Sequence, residues 1–127
     1  MPFVEIFSPA HRPAEHTRQL ADAVHGALVA AIGIPAADRF QAVSSAAQLS
    51  YDAGYLGIQR SADFTLVRIT LRRGRSVEQK RALYRNIAEG ASRAAGIRPE
   101  DVMVVLVEND LPDWSFGGGV AQYVPGP

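Results

Sequence analysis

The hydrophobic residues of this chain fall into the same pattern twice, about 63 residues apart. In each half, a short apolar run is followed by a stripe of apolar residues with helical spacing, then a glycine, then a second apolar run. Leu20 in the first stripe corresponds to Leu83 in the second, and Gly33 corresponds to Gly96. The pattern predicts two β-α-β units in one domain. The units cover about residues 1–63 and 64–127.

Each unit supplies two strands and one helix. The predicted strands are Phe3–Phe7, a stretch from about Phe40, Phe64–Arg72 and Val102–Glu108. The first predicted helix runs from Pro13 to about Ile32. The second begins at a capping box formed by Ser76 and Gln79 and runs to about Ala95. A β-α-β connection makes its two strands parallel. We therefore expect an α/β fold (α+β in some schemes): a four-stranded mixed sheet with both helices on one face and a pseudo-two-fold axis between the units.

The fourth predicted strand indicates that the other face of the sheet is also covered. The run from Val102 to Val107 is apolar on both sides of the pleat, which is typical of a strand buried on both faces. Two helices can cover only one face, so we expect a homo-oligomer. The segment 44–63 is predicted to be a loop, and the glycine-rich tail after Asn109 a hairpin or an arm that reaches a neighbour.

Composition and charge exclude several classes of protein. The chain is 47% hydrophobic and 20% charged, as globular domains usually are, and its 13 basic residues balance 13 acidic ones. Balanced charge gives no reason to expect a nucleic-acid partner. The most apolar stretch, residues 21–35, is interrupted by Asp22 and His25, and the chain has no cysteine. We expect a cytoplasmic protein without a membrane partner.

The first candidate for chemistry is Pro2. An initiator methionine before a small residue is normally removed, and loss of Met1 would leave Pro2 with a free secondary amine. A terminal amine titrates near neutral pH, and here it would stand on a core strand rather than on a frayed end. The alternative is that Pro2 merely opens the strand, where proline is tolerated.

The second candidate is the arginine cluster at the end of the third strand, Arg72, Arg73 and Arg75. Guanidinium groups bind carboxylates through paired hydrogen bonds. If the local two-fold places the first and third strands side by side and antiparallel, Pro2 lies beside Arg73. An amine and a carboxylate clamp would then share one end of the sheet. The alternative is a solvated strand end.

Asp38 is the third candidate, because it could orient a water molecule or stabilise the charged amine. Asp101 holds the same position in the second unit, and an aspartate after a turn is also a common structural choice. Trp114, Phe116 and Tyr123 could wall a small pocket and exclude water. No histidine spacing suits a metal and no glycine stretch matches a phosphate loop, so we expect no metal site and no nucleotide site.

Taken together, several stretches resemble the tautomerase superfamily along nearly the whole chain. They are Met1-Pro2-Phe3-Val4-Glu5-Ile6, Asp38-Arg39-Phe40-Gln41, Tyr55-Leu56-Gly57-Ile58, Gly74-Arg75-Ser76-Val77-Glu78-Gln79-Lys80 and Trp114-Ser115-Phe116-Gly117. Within that superfamily the chain is most similar to the malonate semialdehyde decarboxylase branch. The resemblance implies a homotrimer of doubled units that uses no cofactor. The implied catalytic residues are Pro2, Asp38, Arg73 and Arg75, and the implied substrate-binding residues are Arg73, Arg75, Trp114, Phe116 and Tyr123, the last replacing a family phenylalanine.

The resemblance implies an enzyme that acts on a small oxo acid through its N-terminal proline. The reaction expected first is decarboxylation of malonate semialdehyde to acetaldehyde and carbon dioxide, with Pro2 as a charged hydrogen-bond donor or as a Schiff-base nucleophile. A neutral Pro2 would instead act as a base in keto–enol tautomerism, or the enzyme would hydrate a 2-oxo acid. A non-catalytic oligomeric binding protein is the remaining alternative, because membership of a superfamily does not guarantee turnover.

Overall fold

The computed structural model describes residues 1–126, which form four strands and two long helices. In chain order they are β1 (Phe3–Phe7), α1 (Ala14–Ile32), β2 (Gln41–Ser44), β3 (Thr65–Arg72), α2 (Val77–Ala95) and β4 (Val102–Asn109). Three single turns of 3-10 helix lie at Tyr55–Gly57, Pro99–Asp101 and Leu111–Asp113. The elements agree with the predicted pattern, with differences of at most one residue at their ends.

The strands form one mixed sheet in the order β2-β1-β3-β4. β1 and β2 are parallel, β3 and β4 are parallel, and β1 and β3 meet antiparallel in the centre of the sheet. Phe3 lies opposite Thr70 in this central pair. The start of β1 therefore lies beside the end of β3, and the predicted fold class is confirmed.

Both helices end at a glycine, and α2 also begins with a capping box. The Ser76 side chain accepts a hydrogen bond from the Gln79 backbone, and the Gln79 side chain accepts one from the Ser76 backbone, which completes the predicted capping box. α1 ends at Gly33 with φ of 69° and α2 ends at Gly96 with φ of 65°. Glycine adopts this left-handed conformation without steric cost, so the helices stop at defined points.

The hydrophobic core lies between the two helices and one face of the sheet. Its members include Val4 and Ile6 of β1, Leu20 of α1 and Ile87 of α2, all almost fully buried. The opposite face of the sheet carries no helix among the described residues. Met103 and Val107 of β4 lie on that open face and stay 45% and 44% exposed, which is the uncovered apolar surface that the sequence predicts.

The remaining segments fold back on their own chain. In the loop after β2, the Arg60 guanidinium donates to the backbone carbonyls of Tyr55 and Ile58. In the tail, the Phe116 N–H donates to the Gln122 side chain, which in turn donates to the Gly117 carbonyl. The described part of the tail thus forms a closed turn and contains no strand. None of the helices in residues 1–126 is both long and apolar enough to cross a membrane.

Candidate functional site

A cavity of about 580 Å³ lies at the end of the sheet where β1 begins and β3 ends. Its lining residues are Met1, Ile32, Gly33, Ile34, Pro35, Asp38, Phe40, Arg72, Arg75, Phe116 and Tyr123. The volume is within the range of small-molecule sites. A larger depression of about 670 Å³ lies beside Phe7 and Arg68, but Arg68 is already paired there with Glu5. The first cavity combines an amine, a carboxylate and two guanidinium groups.

The N-terminus and Asp38 meet at this cavity. The ammonium group of Met1 donates a hydrogen bond to the Asp38 carboxylate and forms an ion pair with it. Met1 is only 9% exposed, and Pro2 is buried directly behind it at the start of β1. A chain that begins at Pro2 would have its terminal nitrogen in the space beside Asp38, on a strand held by pairing on both sides.

Arg75 points its charge into the same cavity from the turn between β3 and α2. Its Nη1 donates to the Arg72 carbonyl over 2.9 Å, which fixes the side chain beside the end of the strand. Burial lowers the pKa of the Arg75 guanidinium and the charge of Arg72 lowers it further, while Asp38 and Glu108 oppose the shift. A partly dehydrated guanidinium of this kind gains from the arrival of an anion.

Arg73 does not line the cavity. Its guanidinium is exposed and paired with Asp110, with Nε–Oδ1 and Nη2–Oδ2 distances of 2.6 and 3.4 Å, and this carboxylate raises the pKa of Arg73. Arg72, the strand residue before it, lines the cavity instead. Along β3 the odd-numbered residues Val67, Ile69 and Leu71 face the core, so Arg72 projects from the opposite face of the sheet, and the alternation alone does not show that it lines a cavity.

An aromatic cluster forms one wall of the cavity. Phe116 packs against Phe40 at 5.5 Å between ring centroids and against Tyr123 edge-on at 5.4 Å. Trp114 stacks on Phe116 at 5.5 Å and donates its indole N–H to Asn109, so it supports the wall from behind. Two of the three predicted aromatic residues line the cavity, and Phe40 is a lining residue that the sequence analysis did not single out as a site residue.

Asp101, the repeat equivalent of Asp38, has a different environment. It is fully buried and accepts hydrogen bonds from the backbone N–H and the hydroxyl of Ser61, both over 2.6 Å. Both aspartates bind the chain just before a central strand, but only Asp38 faces a cavity. Of the predicted site residues, the structure therefore brings Asp38, Arg75, Phe116 and Tyr123 together around the cavity, while Pro2 lies buried behind Met1 and is not a lining residue.

A family model described as tautomerase enzyme matches residues 38–117 of this chain. A curated relative, the probable tautomerase YusQ of Bacillus subtilis (strain 168), is 36% identical over 126 residues, which cover 98% of this chain and 99% of the relative.

Among solved structures, FG41 malonate semialdehyde decarboxylase inhibited by 3-bromopropiolate matches with a TM-score of 0.87 and 38% identity over 95% of this chain and 93% of that one. A second malonate semialdehyde decarboxylase matches with a TM-score of 0.84 and 39% identity over 95% of both chains. That decarboxylase is described with decarboxylase and hydratase activities. Its structures include a variant in which the first residue, a proline, is replaced by alanine. A fused 4-OT that forms a symmetric trimer matches with a TM-score of 0.76 and 28% identity over 95% and 97% of the two chains.

Proposed function

This chain belongs to the tautomerase family of enzymes, and from that premise we propose that it decarboxylates malonate semialdehyde to acetaldehyde and carbon dioxide through an N-terminal Pro2. The observation that carries the proposal is the contact between the terminal ammonium and Asp38 in a cavity that also contains Arg75. The likeness to malonate semialdehyde decarboxylases at 38% and 39% identity supports the choice of substrate.

The proposal requires that Met1 is removed. Loss of Met1 would convert Pro2 into the terminal residue and would vacate the space that the buried Met1 side chain fills. The Asp38 carboxylate, left without the Met1 ammonium, would then face the secondary amine of Pro2. Its negative charge favours the protonated form of that amine. The related decarboxylase in which the first residue is a proline supports this step.

The proposed chemistry uses two charged groups of the protein, the Arg75 guanidinium and the protonated Pro2 amine. Arg75 binds the carboxylate of malonate semialdehyde, and the protonated Pro2 amine donates a hydrogen bond to the aldehyde oxygen. The bond between the carboxylate carbon and the methylene carbon breaks, and its electron pair forms the enolate of acetaldehyde as carbon dioxide leaves. The prolinium stabilises the negative charge on the enolate oxygen. A proton then adds to the methylene carbon and gives acetaldehyde.

The surrounding residues protect the enolate from water. Phe116 and Tyr123 line the cavity, Trp114 holds Phe116 in place, and the three rings restrict solvent on one side. Exclusion of water strengthens the interaction between the prolinium and the enolate oxygen. Arg73, the other arginine expected at the substrate, is exposed and paired with Asp110, so our proposal assigns only Arg75 of that pair to the carboxylate.

Tautomerisation of a 2-oxo acid is the second candidate. The observation in its favour is the 36% identity with a probable tautomerase over almost the whole chain. In that reaction a neutral Pro2 amine would move a proton between carbon and oxygen, with Arg75 again on the carboxylate. The two reactions therefore differ in the charge of Pro2, and two arginines near the amine oppose the effect of Asp38.

The test is a proton NMR time course of the untagged protein with malonate semialdehyde, after mass spectrometry has established whether Met1 is absent. Pro2→Ala, which keeps a terminal amine but not a secondary one, and Arg75→Ala should both lose acetaldehyde formation. Arg81→Ala is the matched control, because Arg81 is exposed on α2. Undiminished acetaldehyde formation by Pro2→Ala would contradict the proposal. A wild-type protein that forms no acetaldehyde but tautomerises a 2-oxo acid would support the second candidate.

We also propose that the protein is a homotrimer in which the open sheet face lies between subunits. The exposed apolar side chains of Met103 and Val107 support this, because a monomer would leave them in water. The symmetric trimer of a fused 4-OT with 28% identity supports the number three. Light scattering coupled to size-exclusion chromatography tests it: a mass of one or two chains would contradict the proposal.

A further inference from the structure

We propose that Gln122 is a positioning residue whose side-chain amide holds Phe116 and Tyr123 together as the aromatic wall of the cavity. Both aromatic residues line the cavity. Gln122 directly precedes Tyr123 in the chain, and its amide binds the backbone of Phe116. The inference rests on the proposed use of this cavity for a small oxo acid, because it concerns how the acid is enclosed.

The Gln122 amide forms two hydrogen bonds across the turn between the two lining residues. Its Oε1 accepts from the Phe116 N–H over 2.9 Å, and its Nε2 donates to the Gly117 carbonyl over 2.8 Å. Both distances are those of well-formed N–H···O hydrogen bonds. We call these two contacts the Gln122 latch. The latch joins the two ends of the turn, as backbone pairing does in a β-hairpin.

Backbone hydrogen bonds do not replace the latch. Among residues 114–126, the backbone–backbone hydrogen bond that the structure contains joins the Val124 N–H to the Ala121 carbonyl, which lies to one side of the turn. The turn itself consists of three glycines, residues 117–119, with φ of 140°, 71° and 69°. Glycine adopts these angles without steric cost, but it also has more conformational freedom than any other residue. The turn therefore depends on the latch to stay closed.

The latch fixes the residue on which the whole wall depends. Phe116 packs against Phe40, Trp114 and Tyr123, with ring centroids 5.5, 5.5 and 5.4 Å away. It is the shared member of all three pairs, and its backbone N–H is the group that Gln122 binds. Opening of the latch would therefore disturb the wall of the cavity and the environment of the Trp114 indole together.

The strength of the latch suits a wall that can open and close. Gln122 is exposed, and a hydrogen bond between neutral groups favours the bonded state by a factor of only about two to ten. When only the closed wall binds the acid, the apparent dissociation constant rises as the closed fraction falls. Loss of the latch should therefore raise KM, whereas kcat changes less because the bound acid keeps the wall closed.

The experiment compares Gln122→Met, Gln122→Glu and the control Gln59→Glu in the untagged protein. Gln59 is exposed and outside the cavity lining, so its replacement makes the same charge change elsewhere. The first readout is the fluorescence emission and acrylamide quenching of Trp114, the single tryptophan of the chain, without ligand. The second is the dissociation constant of 3-hydroxypropanoate, an unreactive analogue of malonate semialdehyde, from an NMR titration. The third is the KM and kcat of decarboxylation.

Gln122→Met forms neither hydrogen bond of the latch. We expect its Trp114 emission to move to longer wavelength and to be quenched more readily. The dissociation constant and KM should rise about threefold or more, with kcat within about twofold of wild type.

Gln122→Glu separates the latch from a general effect on stability. At pH 8 the glutamate still accepts from the Phe116 N–H but faces the Gly117 carbonyl without a donor, so its changes should be intermediate. A protonated carboxyl regains a donor, so its emission should return to that of wild type at the same pH once the pH falls below about 4.5. Gln59→Glu should match wild type at every pH.

Two results would overturn the role of Gln122. One is a Gln122→Met variant with unchanged Trp114 emission and quenching. The other is a Gln122→Glu variant whose emission differs from that of wild type as much at low pH as at pH 8. A wild-type protein that forms no acetaldehyde would contradict the proposed decarboxylation, but the ligand-free emission would still test the latch, so the two failures can be told apart.

Discussion

Replacing Asp101 by alanine should destabilise the fold strongly without involving the cavity. The Asp101 carboxylate is fully buried and accepts two hydrogen bonds of 2.6 Å from Ser61 and a longer one of 3.4 Å from Arg98. Hydrogen bonds to a charged group contribute about 1.5–3 kcal/mol each, so the two short ones give about 3–6 kcal/mol. Because removing the carboxylate also removes the cost of dehydrating it, we expect the free energy of unfolding to fall by about 3 kcal/mol.

The assay is urea denaturation followed by circular dichroism at one fixed protein concentration, because assembly would make stability depend on concentration. A loss of about 3 kcal/mol corresponds to a fall in Tm of roughly 10 °C for a domain of this size. Asp101→Asn, which keeps one acceptor oxygen, should lose less. The matched control is Asp38→Asn at the equivalent position of the first unit, which we expect to reduce activity while changing stability much less. A loss below about 1 kcal/mol for Asp101→Ala would refute the reasoning.

Three further changes test other parts of the structure. Arg68 donates two hydrogen bonds of 2.8 Å to Glu5 and lowers the pKa of Glu5 below its ordinary value of 4.5. In urea titrations, wild type should therefore be more stable than Glu5→Gln above pH 4.5, and the difference should disappear as the pH falls through the folded pKa of Glu5. A difference in stability that does not depend on pH would contradict this. Gly96→Ala should lower the free energy of unfolding, measured by thermal denaturation, by about 1 kcal/mol, because alanine would have to adopt the left-handed conformation of the C-cap. The control is Gly26→Ala inside α1, where a Cβ meets open space and alanine should not destabilise the protein. Val107→Glu should shift the mass measured by light scattering toward the single chain, and an unchanged mass would show that the open face is not the interface.

The architecture was predictable from local signals, and the charged part of the site only partly so. Capping at Ser76, the stops at Gly33 and Gly96 and the internal repeat each depend on neighbouring residues, so the elements and their order follow from the sequence. The antiparallel contact of β1 with β3 follows from the repeat and places the start of β1 beside the end of β3.

The choice between neighbouring arginines depends on contacts that are distant along the chain. Arg72 and Arg73 are adjacent and chemically identical, and what separates them is the pleat of β3 and an aspartate 37 residues beyond Arg73. Phe40 reaches the aromatic wall only because the tail returns over the start of β2 and brings Phe116 to it. The hydrophobic periodicity of a single strand does not indicate which side chains from distant segments will pair with it.

The divergence of the two aspartates follows from the covalent connection between the units. The residue equivalent to Pro2 in the second unit is Thr65, whose nitrogen is an internal amide of β3 and cannot become a free amine. Asp101 therefore has no terminal ammonium to bind, and it binds the Ser61 backbone and hydroxyl just before β3 instead. Asp38, by contrast, lies where it meets the N-terminal ammonium. A doubled chain of this kind can thus provide one amine site per chain, and the second copy of the same residue is available to hold the connection between the units.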